Sequence, residues 1–464
     1  MTSAARHPPV HHPDGLPTPR RYFAVVAIWL AIFMAVLDGA IANVALPTIG
    51  RELHTDPASS IWIVNAYQLA ITIALLPLAS LGDKIGHRRV YIAGLTIFTL
   101  GSLACALSHT LTQLAAARVL QGLGGAGIMS INAALVRFTY PHRVLGRGIG
   151  LNAVIISIAA AVGPTAASAI LAAGTWQWLF AINVPIGVVT IALGAFALPW
   201  TPGSKARLDF LSAGLTAITV GGLILGLESL ASEGLVGGLI RLAIGLTAGF
   251  FLLRRELPMK APMVPIDLMR IPIFRLSIFA SIVSFTAQML AFVALPFHFE
   301  TAFGRSAVET GLLMTPWPLA VGLAAPVAGH LADRYPAGAL GGFGLFVFAV
   351  GLALLALMPA HPADIDIIWR MAVCGIGFGF FQSPNNRTIV GSAPRERAGA
   401  AGGMLATGRL LGQTTGAVIM AVLFRAAFGS PTTSALLIAA GVAALAGILS
   451  FLRLRVPGGG EATH

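Results

Sequence analysis

The sequence predicts an all-α polytopic membrane protein, and three observations carry that prediction. First, 56% of the 464 residues are hydrophobic and only 10% are charged, where a soluble domain carries roughly 25% charged residues; the mean hydropathy is +0.85. Second, about fourteen apolar runs lie between Arg21 and Arg453, each near the roughly 20 residues that a helix needs to cross a bilayer. Third, the runs are long and uninterrupted, which suits helices and not the short alternating segments of a β-barrel. The formal net charge of +12 would suit a nucleic-acid partner in a soluble protein, so its placement decides its meaning. With a cytoplasmic amino terminus, only Arg51, Arg241, Arg305 and Arg425 fall outside, and Arg118, Arg370, Arg387 and Arg409 fall within spans. The other Lys and Arg residues crowd the cytoplasmic segments. This positive-inside pattern places both termini in the cytoplasm and implies a lipid bilayer, not nucleic acid, as the partner.

Residues 1–21 are a Pro- and His-rich stretch without a signal-peptide core, read as a disordered cytoplasmic tail. His7, His11 and His12 there suit a solvated tail better than a metal site. Residues 22–200 hold six spans, 201–260 two further spans with linkers, 261–456 six more, and 457–464 a second cytoplasmic tail. A repeat sets this partition. The loop GDKIGHRR carries Asp83 and Lys84, and ADRYPAG carries Asp333 and Arg334, 250 residues on. Arg118 opens RVLQGLGG and Arg370 opens RMAVCGIGFG, 252 residues on. The first acidic loop joins spans two and three and the second joins spans ten and eleven, so two spans are inserted between six-helix halves. Cys105 and Cys374 lie within spans, which implies neither a disulfide nor a cysteine metal site.

The stretch AVLDGAIANVALP, Ala35 to Pro47, sets one carboxylate in an apolar run, where charge is costly and points to function. Asp38 lies about 23 Å along span one from its cytoplasmic end and roughly 13 Å from Pro47. Arg118 lies roughly 10 Å below the external end of span four. The two charges therefore share a depth. Asn43 is about 140° around the helix from Asp38 and belongs to another face. A repeat offset of about 250 puts the neutral Gln288 opposite Asp38, so proton chemistry is expected in the amino-terminal half alone.

Several of these segments together resemble the major facilitator superfamily, and within it the fourteen-span drug:proton antiporter family. The opening LDGAIANVALP is similar to the first-span motif, ASLGDKIGHRR to the loop between spans two and three, and LAAARVLQGLGGAG to the fourth-span motif with Arg118. AAAVGPTAAS resembles the antiporter motif of span five through Gly163 and Pro164, and WQWLFAINVPIG the start of span six. Departures are Ala79 for the usual leading Gly of the loop, Ala167 and Ser168 for a Gly pair, Gln177 for Arg and Glu300 for Gln.

The resemblance implies two six-helix bundles plus two inserted central helices, with spans one and four on a central cavity. It also implies a monomeric bacterial inner-membrane transporter that exchanges protons for a small amphiphilic substrate. Asp38 and Arg118 are the expected proton-coupling pair; a static ion pair is the alternative. The loop residues Asp83, Lys84, Gly86, Arg88 and Arg89, with Asp333 and Arg334 in the second half, are expected to form a conformational latch; a purely topogenic role is the alternative.

Phe285, Phe292 and Phe299 recur every seven residues along span nine, which suits either an aromatic cavity wall for cations or lipid-facing packing. Gln288, Phe292, Glu300 and Arg409 are the candidate cavity residues. Glu300 either attracts cations at the cavity mouth or is solvated, and Glu228 shares that ambiguity. Arg409, mid-span, either binds an anionic group or stabilises the bundle. There is no G-x-x-x-x-G-K loop, Ser-His-Asp set or metal-ligand cluster, so no enzyme, cofactor or metal is expected and the energy source is a proton gradient. The leading expectation is export of cationic amphiphiles. An importer or exporter of an anionic metabolite, and a non-transporting sensor or scaffold, are the other two classes.

Overall fold

A computed structural model of the chain describes residues 15–141, 144–201, 209–232, 235–259, 262, 264–332, 334–394, 398–426 and 430–456. Asp333, the His-rich tail and the side chain of Glu228 lie outside the described residues. No strand occurs among the described residues.

The first half begins with α1 (Arg20–Glu52), which stays helical through Pro47. Asp56 caps α2 (Pro57–Ser60) by accepting from the Ser59 amide at 2.9 Å, and the chain runs directly into α3 (Trp62–Ile85). Gly86, at φ +98°, separates α3 from α4 (His87–Ala106). That left-handed backbone favours glycine, and an added Cβ would lie 2.7 Å from the Thr201 carbonyl oxygen. Next come α5 (Leu111–Thr139), capped by Thr110, α6 (Leu145–Ala173) with Pro164 inside it, α7 (Trp178–Ala181) and α8 (Asn183–Ala197). A pair of helices, α9 (Phe210–Ser232) and α10 (Leu235–Glu256), intervenes.

The second half starts with α11 (Pro272–Phe297), which continues through a π turn at His298–Ala302. A Ser306–Glu309 capping box starts α12 (Ala307–Met314), followed by α13 (Pro316–Leu331), α14 (Ala337–Ala356) and α15 (Asp364–Gly391). Then α16 (Ala398–Ala426) and α17 (Pro431–Leu452) complete the chain, with a 3-10 turn at Arg453–Arg455. Among the described residues, 12 helical segments are long and apolar enough to cross a membrane. Two more helices, α15 and α16, have 28 and 29 residues but carry Arg370 and Arg387, or Arg409 and Arg425.

The two halves pack by one pattern. In the first, α5 packs on α3 and α4, and α1 on α6 and α8; in the second, α15 packs on α13 and α14, and α11 on α16 and α17. Glycines set the closest approaches, because only a missing side chain lets backbones meet. A Cβ on Gly122 would lie 2.6 Å from the Tyr67 carbonyl oxygen, and one on Gly375 2.3 Å from that of Trp317. Likewise Gly124 meets the Phe98 amide nitrogen at 2.2 Å and Gly377 that of Phe348 at 2.4 Å. The halves touch through α6 with α12 and α13, α1 with α11, and α3 with α16. The inserted α9 and α10 pack on each other, and α9 also touches α3 and α16. Their outward side chains, such as Phe210, Val236, Leu246 and Phe250, are exposed and apolar, as lipid contact requires.

Candidate functional site

Asp38 sits inside the amino-terminal half, 1% exposed, and Arg118 is fully buried. The Arg118 Nη1 donates to Asp38 Oδ2 at 2.5 Å and to Gln121 Oε1 at 2.6 Å, while its Nε donates to the Ile63 carbonyl at 2.9 Å. Asp38 Oδ1 also accepts from the amides of Gln121 at 2.8 Å and Asn183 at 2.9 Å. Gln121 passes the network on to Ser102 Oγ at 2.8 Å. Tyr67 lies under the guanidinium, with Cζ 4.0 Å from the ring centroid, and its hydroxyl donates to the Ala35 carbonyl at 3.2 Å. Thus α1, α3, α4, α5 and α8 all converge on one carboxylate, each supplying a polar group where the bilayer offers none.

The pair is brought together as its matching depths imply. Its setting differs from expectation: all its hydrogen-bond partners belong to the amino-terminal half, so the carboxylate is enclosed within that bundle and does not line the central cavity. Gln121, Asn183, Ser102 and Tyr67 were not singled out by the sequence. Gln121 was legible in principle, three residues from Arg118 and so on the same helix face. Asn183 was not, because only the folding of α8 against α1 delivers it. Asn43 donates to the Gly39 carbonyl at 2.9 Å on its own helix and stays outside this network.

At the matched positions the carboxyl-terminal half has no such network among the described residues, its buried Arg453 donating instead to Asn385 Oδ1 at 2.7 Å and Ser277 Oγ at 3.0 Å, and its register corrects the sequence offset. VALP occurs at residues 44–47 and again at 293–296, a shift of 249 that pairs Asp38 with Ala287 and not with Gln288. Packing pairs Gly122 with Gly375 and Gly124 with Gly377, so Arg118 corresponds to Met371, not Arg370, and Gln121 to Cys374. Trp317 takes the place of Tyr67. Ala287, Met371, Cys374 and Trp317 are all buried and carry no charge. Arg370 turns instead to Asp366 of its own helix at 3.0 Å.

On the face where α1 begins and α17 ends, the GDKIGHRR loop docks on the end of α8. The His87 amide donates to Thr201 Oγ1 at 2.7 Å, Arg88 donates to the Ala195 carbonyl, and Arg88 and Arg89 stack on Trp200 at 4.5 and 5.8 Å. Asp83 pairs with His87 at 3.1 Å and is 69% exposed; it does not pair with Lys84, Arg88 or Arg89. Arg334 is exposed on the same face.

The opposite face is closed between the halves. Arg51 and Glu300, equivalent positions under the 249-residue shift, form an ion pair at 2.7 Å. Thr165 and Thr315 share a hydrogen bond at 2.8 Å. Gly163 abuts Ala40, and Gly311 of α12 lies against Pro164 and Ser168, where a Cβ would meet the Pro164 carbonyl oxygen at 2.5 Å. Of the antiporter-motif residues, Pro164 therefore takes part in a helix crossing between halves, while Gly163 packs α6 on α1 within the amino-terminal half.

The proposed aromatic wall turns inward. Phe285 packs edge-on against Phe378 at 5.3 Å, Phe292 against Trp317 at 4.8 Å, and Phe299 stacks on Phe303 at 6.2 Å. Glu300 is held by Arg51 and is not a free carboxylate at a cavity mouth. The features that pointed to a cationic substrate are thus engaged within the protein. Gln288 remains half-buried on α11, and Arg409 has its guanidinium 5.7 Å from the Phe285 ring.

Residues 28–267 and 277–463 match the family described as the Major Facilitator Superfamily. The chain is 53% identical over 447 residues, 96% of this chain and 98% of the relative, to the protein named "Uncharacterized transporter YebQ" of Escherichia coli (strain K12). It is 30% identical to "Riboflavin transporter RibZ" of Clostridioides difficile (strain 630), covering 87% of this chain and 88% of that one. It is also 30% identical to "Multidrug resistance protein Stp" of Mycobacterium tuberculosis (strain CDC 1551 / Oshkosh), covering 85% and 74%.

Proposed function

Because the chain belongs to the Major Facilitator Superfamily and is a membrane transporter, not an enzyme, we propose that it is a proton-coupled antiporter. In this reading it has fourteen spans, both ends lie in the cytoplasm, and it exports amphiphilic small molecules across a bacterial inner membrane as a monomer. The observation that carries the reading is the enclosed Asp38–Arg118 pair, a costly charge pair that the second half folds without. Similarity to the protein named "Multidrug resistance protein Stp" is consistent with it.

The chemistry follows from the contacts. Protonating Asp38 removes the charge that holds Arg118 Nη1, while the Gln121 and Asn183 amides still satisfy a neutral acid. The tie between α1 and α5 then weakens, and α1 is free to shift against the other half. Since α1 also carries Arg51, that shift acts on the closed face at Glu300. Proton binding and opening of that face are thereby linked through one helix, and the two halves rock about the site. The Asp83 side chain, exposed here while its loop is docked on α8, engages when the other face closes.

Everted vesicles with an acidified lumen test this. Adding compounds from a panel of cationic, neutral and anionic aromatics should release lumenal protons for at least one class, and Asp38→Asn should abolish the release. Normal exchange by the Asp38→Asn protein would refute the coupling role, and absence of flux for every compound would favour a non-transporting protein.

A further inference from the structure

Arg409 is the twelfth residue of α16, about 17 Å along a helix some 43 Å long, and so lies near mid-bilayer. Its Nε is buried without a hydrogen-bond partner, and its guanidinium makes no ion pair among the described residues. Its one neighbour of note is the Phe285 ring. The buried carboxylates among the described residues are already engaged, Asp38 by Arg118, Glu300 by Arg51 and Glu256 by the Val264 amide. An unpaired guanidinium at this depth is expensive unless something anionic joins it.

The surroundings say where that partner would sit. Gly408 and Gly412 press α16 onto α11 at Ile278, Ile282 and Phe285, while Leu410 joins the buried apolar cluster of the amino-terminal half. Arg409 is about 60° around the helix from Gly412 and 100° from Leu410, in the angle between α11 and the other half. Gln413 follows one turn later on the same face, and Gln288 stands one turn beyond Phe285 on α11. Neither amide has a hydrogen-bond partner among the described residues, so both are open to a ligand.

We propose that Arg409, with Gln413 one turn on along α16 and Gln288 on the neighbouring α11, is the seat for the acidic group of an aromatic substrate. The substrate class is an amphiphilic aromatic carboxylate or a like anion, and the guanidinium fork takes its two oxygens together. This assignment rests on the transporter reading but not on proton coupling, because it is a statement about equilibrium binding.

The test is binding to the purified full chain in lipid nanodiscs without a pH gradient. The probes are 1-pyrenebutyrate and its neutral amide, which share one apolar body, with ethidium as a cationic control. The carboxylate is expected to bind at least about tenfold more tightly than the amide, as one charge-assisted contact provides. Arg409→Gln should erase that ratio and Arg409→Lys should keep part of it, with the amide bound equally by all three proteins as the check on folding. An amide or ethidium bound more tightly than the carboxylate, or a ratio unchanged in Arg409→Gln, would overturn the proposal. Failure of the vesicle exchange assay with this ratio intact would remove proton coupling and leave the anion seat standing.

Discussion

The two halves share one packing scheme and differ in what they bury at one matched place. Gly122 meets Tyr67 as Gly375 meets Trp317, and Gly124 meets Phe98 as Gly377 meets Phe348. Yet the amino-terminal half encloses Asp38, Arg118 and Gln121 where the other half has Ala287, Met371 and Cys374. At these matched positions the second half closes around apolar side chains alone, its buried Arg453 lying elsewhere, against Ser277 and Asn385. The charges in the first half are therefore not a requirement of the fold, and a feature that costs desolvation without serving packing is the place to look for function.

The largest effect that would break this comparison is Asp38→Asn: coupled exchange should be lost, and the thermal midpoint in detergent should also fall, because the buried Arg118 guanidinium is left without its counter-charge even though an amide still accepts from Gln121 and Asn183. Retained exchange would make the two interiors equivalent. Next is Arg118→Met, which gives the first half the residue of the second but strands a buried carboxylate. It should cost about 3–5 kcal/mol, whereas the pair Asp38→Ala with Arg118→Met, matching the second half at both positions, should cost less, about the 1–3 kcal/mol of the Asn183 amide left unpaired. Thermal unfolding of the single and double variants checks this, and an equal loss in both would mean that the ion pair holds the bundle.

Smaller still, Gly122→Val and Gly375→Val should each destabilise by about 1–3 kcal/mol through overpacking, and by similar amounts, because each Cβ meets a backbone carbonyl. A clear inequality between them would show that the halves share helix order but not packing. The smallest effect belongs to Glu300→Gln. Its partner Arg51 is 68% exposed, so the change in stability should stay within about 1 kcal/mol. A cysteine at Thr315 should nonetheless label faster with an impermeant maleimide as the closed face loosens; unchanged labelling would show that the ion pair is incidental.

How much of this was legible in the sequence depends on the range over which each feature is determined. The apolar runs, the repeat, and the shared depth of Asp38 and Arg118 are one-dimensional quantities, fixed by a rise of about 1.5 Å per residue. The acidic residue in an apolar run also announces itself, because its cost is local. Register between repeats was less secure: offsets of 250 and 252 taken from loop and helix motifs pointed to Gln288 and Arg370, and VALP together with the glycine contacts moved each by one residue. One residue turns a helix by about 100°, enough to exchange an interior position for one facing elsewhere.

Only the tertiary structure decided who stands next to whom. It delivered Asn183 to Asp38 across 145 residues of chain, paired Glu300 with Arg51 across 249, and turned Phe292 inward onto Trp317. It also left Arg409 without an acidic neighbour among the described residues. The sequence by itself determined that a membrane helix bundle with a doubled plan buries one carboxylate and one guanidinium at the same level. Whether such charges meet each other, or meet nothing and await a ligand, depends on helix rotation and packing, which depend on contacts between residues far apart in the chain.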